Sequence, residues 1–187
     1  MFARIVIAAC FAVLLALFPG AARADGIELT QLATHKGDDG LELSFTTRFE
    51  LSRAAVDALH KDVALYFVAE ANVLRSRWYW RDARVARSER GWRLTWNSLT
   101  RQYRVSTGGL HQSFATLDEA LTVLRGQSGW RIAEPKDIED GSGYYLEFSY
   151  RLDVNQLPRL MQIGGLQSGF ALSVERKHNL GSDFSLK

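Results

Sequence analysis

In the run Trp92-Arg93-Leu94-Thr95-Trp96-Asn97 every second side chain is apolar and those between are polar. An extended chain with one buried face satisfies that period of two, because successive side chains in a strand point to opposite faces. The pattern recurs at 27–34, where Ile27 and Leu29 interleave with Glu28 and Thr30. It appears again at 41–49, where Leu41, Leu43 and Phe45 interleave with Glu42, Ser44 and Thr46. Gly37-Asp38-Asp39-Gly40 between these runs has turn chemistry, so they are expected to open the fold as a hairpin. The β-branched and aromatic content from Val63 to Trp80 predicts one long or bent strand. Turns are expected near Asp82 and at Glu89-Arg90-Gly91, with a strand between them and another after. Further strands are expected at 101–106, 130–133, 144–152 and around Phe170, Leu172 and Val174. Gly108-Gly109 and the acidic loop 134–143 punctuate them.

Two segments carry helical signals instead. Ser52 is placed to cap a helix reaching about Lys61, with Val56 and Leu59 on its buried side. Thr116-Leu117-Asp118-Glu119 is a capping box, after which Leu117, Ala120, Leu121 and Leu124 share a face, with Gly126 at the expected stop. Asn155 to Gly165, containing Pro158, reads as a short helix or extended corner. About eight short strands with helices only in the connections predict a mainly β fold. The expected architecture is an antiparallel β-sandwich, immunoglobulin-like in its general arrangement, with two or three short helices.

The first 24 residues belong to another pattern. Met1 to Arg4 is short and positive, Ile5 to Phe18 is uncharged and apolar, and Pro19-Gly20 breaks that run ahead of Ala22-Arg23-Ala24. This is the layout of a secretory signal peptide, with cleavage expected between Ala24 and Asp25. The apolar run has 14 residues, whereas a membrane-spanning helix needs about 20. Nine residues before Cys10 are too few for a complete lipoprotein leader, so that cysteine reads as a passenger. A periplasmic address and one β-sandwich domain over residues 25–187 are therefore expected. Losing the leader takes the formal charge from +2 to zero and removes the only cysteine. The mature core must hold without disulfides.

Chemistry-bearing motifs are sparse. His35, His60, His111 and His178 form no metal-binding spacing, and no carboxylate cluster accompanies them. No nucleophile elbow or phosphate-binding glycine loop occurs in the required setting. The Asp140-Gly141-Ser142-Gly143 stretch suits an exposed turn, and the acids at 137–140 lack calcium-loop spacing. No metal or cofactor is expected, and catalysis is not the favoured reading. The alternatives are a periplasmic hydrolase pairing a distant histidine with acids of the 134–143 loop, or a purely structural envelope protein.

Charge is the remaining signal. Residues 75–104 hold nine arginines (75, 77, 81, 84, 87, 90, 93, 101 and 104) against Asp82 and Glu89, a net +7; the rest of the mature chain is −7. If Trp78 and Trp80 point inward, strand parity puts Arg75, Arg77, Tyr79 and Arg81 together on the outer face. Arg93, Arg101 and Arg104 are expected to extend it. Cross-strand pairing with acids is one use of such a face. Binding an acidic envelope protein or an anionic lipid or glycan is the other. Nucleic acid is not expected for an exported chain.

The order of features also resembles a known family. The leader and hairpin are followed by Leu65-Tyr66-Phe67, Trp78-Tyr79-Trp80-Arg81 and Arg101-Gln102-Tyr103-Arg104-Val105. Next come the Leu117-to-Leu124 helix and Arg151-Leu152-Asp153 running into Leu157-Pro158. Together these resemble an uncharacterised proteobacterial family of exported proteins, a domain of unknown function, over essentially the whole mature chain. The resemblance implies a periplasmic address but no activity, catalytic residue or cofactor. Its genes often lie beside a nitrogen-regulation-like sensor-kinase pair, which implies an envelope-signalling accessory by association.

Overall fold

The computed structural model describes residues 26–79, 81–138, 143–161 and 170–187. The expected leader and its cut, Trp80, Asp140-Gly141-Ser142 and the end of the 155–165 corner lie outside the described residues. Among these residues, nine strands form two antiparallel sheets with a sandwich-like arrangement. β1 (Glu28–Gly37), β2 (Gly40–Arg48) and β7 (Gly126–Ala133) make a three-stranded sheet in the order β1-β2-β7. The larger sheet contains β3 (Leu65–Arg75), β4 (Ala83–Asn97), β5 (Gln102–Thr107) and β6 (Leu110–Phe114), with β8 (Tyr144–Leu152) and β9 (Ser173–Asn179). Its order is β6-β5-β4-β3-β8-β9.

The alternation seen in the sequence sorts residues between core and solvent. Leu41, Leu43 and Phe45 of β2 are buried, as are Trp92 and Leu94 of β4 and Leu146, Phe148 and Tyr150 of β8. Phe45 links the sheets, its ring centroid lying 5.0 Å from Phe148 and 5.4 Å from Tyr150. At the edge of the small sheet, Trp130 donates its indole N–H to Ser88 Oγ of β4 at 3.0 Å.

Both helical signals are present, with shifts. α1 (Arg53–Leu59) starts where Ser52 Oγ accepts the Ala55 N–H at 3.1 Å, and it ends at His60. It buries Ala55, Ala58 and Leu59, while Val56 is only half-buried. α2 (Leu117–Leu124) has the complete Thr116/Glu119 capping box. It is stopped by Arg125, and Gly126 already pairs with Thr46 as the first residue of β7.

Three strand expectations need correction. Glu89-Arg90-Gly91 is not a turn: β4 runs through it for 15 residues, with Glu89, Arg90 and Gly91 opposite Glu70, Ala69 and Val68. Pairing along the full length of β3 outweighs the local turn preference. Gly108-Gly109, rather than merely interrupting a ladder, is the tight turn joining β5 to β6. The expected strand from Val63 to Trp80 stops at Arg75, opposite Tyr144. There the Ser76 N–H donates to the Gly143 carbonyl at 2.7 Å, and the chain leaves the sheet.

Candidate functional site

That departure removes the basis for strand parity at 77–81. Trp78 does not point inward: it is 93% exposed, and Tyr79 is 69% exposed. The two rings meet edge to face at 5.0 Å, in a turn between β3 and β4. Asp82 fastens this connection at its base. One carboxylate oxygen accepts the Arg77 backbone N–H at 3.3 Å, and the other accepts the Tyr145 phenol at 2.7 Å. Tyr145 itself is fixed in β8 and almost wholly buried. The loop is thus tied down at its root while its aromatic tip stands in solvent.

The fastening titrates at both ends of the pH scale. The Tyr145 hydrogen bond, followed by the Arg77 N–H, holds Asp82 below the usual 3.8. The stabilisation from its ionised form is therefore present above 3.8 and lost as pH falls through the depressed value. Burial first, then donation to Asp82, pushes Tyr145 from 10.0 up to about 12. A raised phenol pKa stabilises the folded state below the unfolded value near 10, and that contribution fades as pH climbs to about 12. Tyr103 and Tyr150 are also raised by burial, so they act in the same direction. Thermal unfolding across this alkaline range should show a falling melting temperature, with a shallower fall in Tyr145→Phe. An identical slope in both proteins would show that Tyr145 is not buried and bonded as described.

The seven residues expected to form one surface fall into two groups. Arg75, Arg77, Tyr79 and Arg81 lie at or in the β3–β4 connection, with the Arg75 guanidinium over the Tyr144 ring at 5.2 Å. Arg93 is in β4 over the Tyr66 ring at 5.9 Å, and Arg104 is on β5 opposite Thr95. Arg101 occupies the β4–β5 turn with a φ of 53°. Arg93 follows Ala83 by ten residues on the same strand, placing it roughly 34 Å away at the strand rise. Parity reasoning also missed Arg84, exposed on β4 immediately after the loop. Its adjacency in sequence was visible, but its side could not be assigned before the end of β3 was known.

Cross-strand neutralisation is confined to part of the arginine segment. Arg87 pairs with Glu70 at 3.2 Å and Glu89 at 3.5 Å on the outer face of the large sheet. Nearby, Lys177 pairs with Glu147 at 3.4 Å. Glu70 is held below the usual carboxylate range chiefly by the Asn72 amide, with Arg87 and Arg151 contributing. Glu70, Asn72, Glu147, Arg151 and Lys177 are among the residues lining a shallow depression of about 550 Å³. By contrast, among the described residues no ion pair engages Arg77, Arg81, Arg84, Arg93, Arg101 or Arg104.

Among the described residues, neither His111 on β6 nor His178 on β9 hydrogen-bonds a carboxylate. His60 instead lies with Nε2 2.9 Å from the Tyr103 hydroxyl, its ring 5.1 Å from Trp96. Among the same residues, no group of three or more His, Cys, Asp and Glu is positioned to hold a metal.

A family model described as "Domain of unknown function (DUF4390)" matches residues 24–179. Comparisons with curated proteins and with solved structures return no match.

Proposed function

Because the chain belongs to the DUF4390 family, a domain of unknown function, we propose from its surface that it is an exported periplasmic binding module. The contact region is the β3–β4 connection, and the partner is anionic. The observation carrying this reading is the exposed Trp78–Tyr79 pair beside Arg77, Arg81 and Arg84, whose charges no acid neutralises among the described residues. Guanidinium groups without internal partners are available for phosphate or carboxylate, and aromatic neighbours add contact area at low entropic cost. The signal-like leader supports export. An accessory role in envelope signalling follows from the family resemblance and is part of the same proposal.

Protein released from the periplasm by osmotic shock and applied to a heparin column tests the reading. The wild type should be retained and eluted by salt. Replacing Arg77, Arg81 and Arg84 together with serine should bring elution to clearly lower salt. The triple serine variant at Arg93, Arg101 and Arg104 should change it less. The opposite ranking would overturn the choice of surface, and recovery of the protein only from the cytosol would overturn export.

A further inference from the structure

Resting on that reading, we propose that the anionic partner is a phospholipid surface. Trp78 and Tyr79 enter the headgroup region, while Arg77, Arg81 and Arg84 pair with lipid phosphates. Three features of the loop favour a membrane over an acidic protein or glycan.

The first is shape. A ring that is 93% exposed has almost nothing packed around it, so the tip is a projection rather than a pocket. A fluid interface can enclose a projection without a complementary cavity. The second is chemistry. Trp and Tyr are the side chains that concentrate at membrane–water interfaces, because an apolar ring carries a polar group that stays hydrated. Arginine beside them matches phosphate with paired N–H donors and keeps its charge at the surface while its stem covers apolar area.

The third feature is the root of the loop. Ser76 is bonded to Gly143, and Asp82 bridges Arg77 and Tyr145. These bonds hold the connection against the end of the sheet, yet they leave both rings outside. Asp82 is the acid closest in sequence to the tip, and its two oxygens are already committed. A pre-organised tip loses little freedom when it docks.

Co-sedimentation with vesicles decides the matter. The purified protein should pellet with equimolar phosphatidylglycerol and phosphatidylcholine and remain in solution with phosphatidylcholine alone. Losing the three arginines should weaken partitioning about fivefold for each charge at low salt. Trp78→Ala with Tyr79→Ala should abolish pelleting while leaving heparin retention nearly unchanged. Circular dichroism should confirm that this variant is folded, as expected for two exposed side chains. Pelleting that survives the loss of both rings would overturn the membrane proposal. Heparin retention without vesicle binding would also overturn it, while leaving the broader anion-binding reading intact. Failure of both measurements would remove both proposals.

Discussion

Replacing Tyr150 with alanine is expected to destabilise the fold by about 3–5 kcal/mol, the range for truncating a buried aromatic. Tyr150 has no exposed surface and touches both sheets through Phe45, Phe67 and Trp92 at centroid distances of 5.4, 6.1 and 6.0 Å. Its hydroxyl also donates to the Leu124 carbonyl at 2.6 Å, fixing the end of α2 to the core. Domains of this size are stable by roughly 5–15 kcal/mol, so the loss is a large share of the whole. Urea unfolding should show a much lower midpoint with little change in slope. Tyr150→Phe separates the two contributions. It keeps the ring but leaves a helix-end carbonyl without its donor, which costs about 1–3 kcal/mol. Equal midpoints for the phenylalanine variant and wild type would show that the hydroxyl contributes nothing.

Gly40→Ala is the second large effect, and its cause is backbone rather than core. Gly40 has a φ of 115°, and an added Cβ would collide with the Ala133 carbonyl oxygen. That oxygen belongs to β7, whose pairing with Leu41 joins the opening hairpin to the rest of its sheet. The alanine must therefore push two strands apart in addition to bearing an unfavourable φ. A loss on the order of 3–5 kcal/mol is expected, with faster amide exchange along β2. Gly108→Ala is the matched control. Its φ is 54°, but no atom lies within 4 Å of the added methyl group, so about 1–2 kcal/mol should suffice. Similar losses at the two positions would contradict the close approach of Ala133.

Residues whose surroundings are set by their immediate neighbours were legible in the sequence. Trp92 and Leu94 are buried as their alternation requires, and Thr116 and Glu119 form the box their spacing predicts. Trp78 was not legible, because strand parity holds only while a partner strand continues. β8 begins at Tyr144, so the register ends at Arg75, and nothing in the 75–82 composition reveals that limit. Glu89-Arg90-Gly91 failed in the opposite direction, its turn chemistry overridden by the paired β3. The arginine surface was therefore visible as a charge count but not as two separate groups. Arg87 was absorbed into a ladder with Glu70 and Glu89, while the arginines at either end of β4 were not.

The uninterrupted course of β4 has a consequence for avidity. Its 15 residues span roughly 48 Å, with one arginine group at its start and the other toward its end. A single headgroup or short anion can occupy only one of them at a time, and its affinity gains nothing from the second. Linked anionic groups benefit from both only when their connection reaches across the strand, because a shorter tether contributes no effective concentration at the far site. A paired strand is stiff, so under the proposed anion-binding reading this spacing would gauge ligand length: polyanions longer than the gap between the groups would be held at two points, and shorter ones at one.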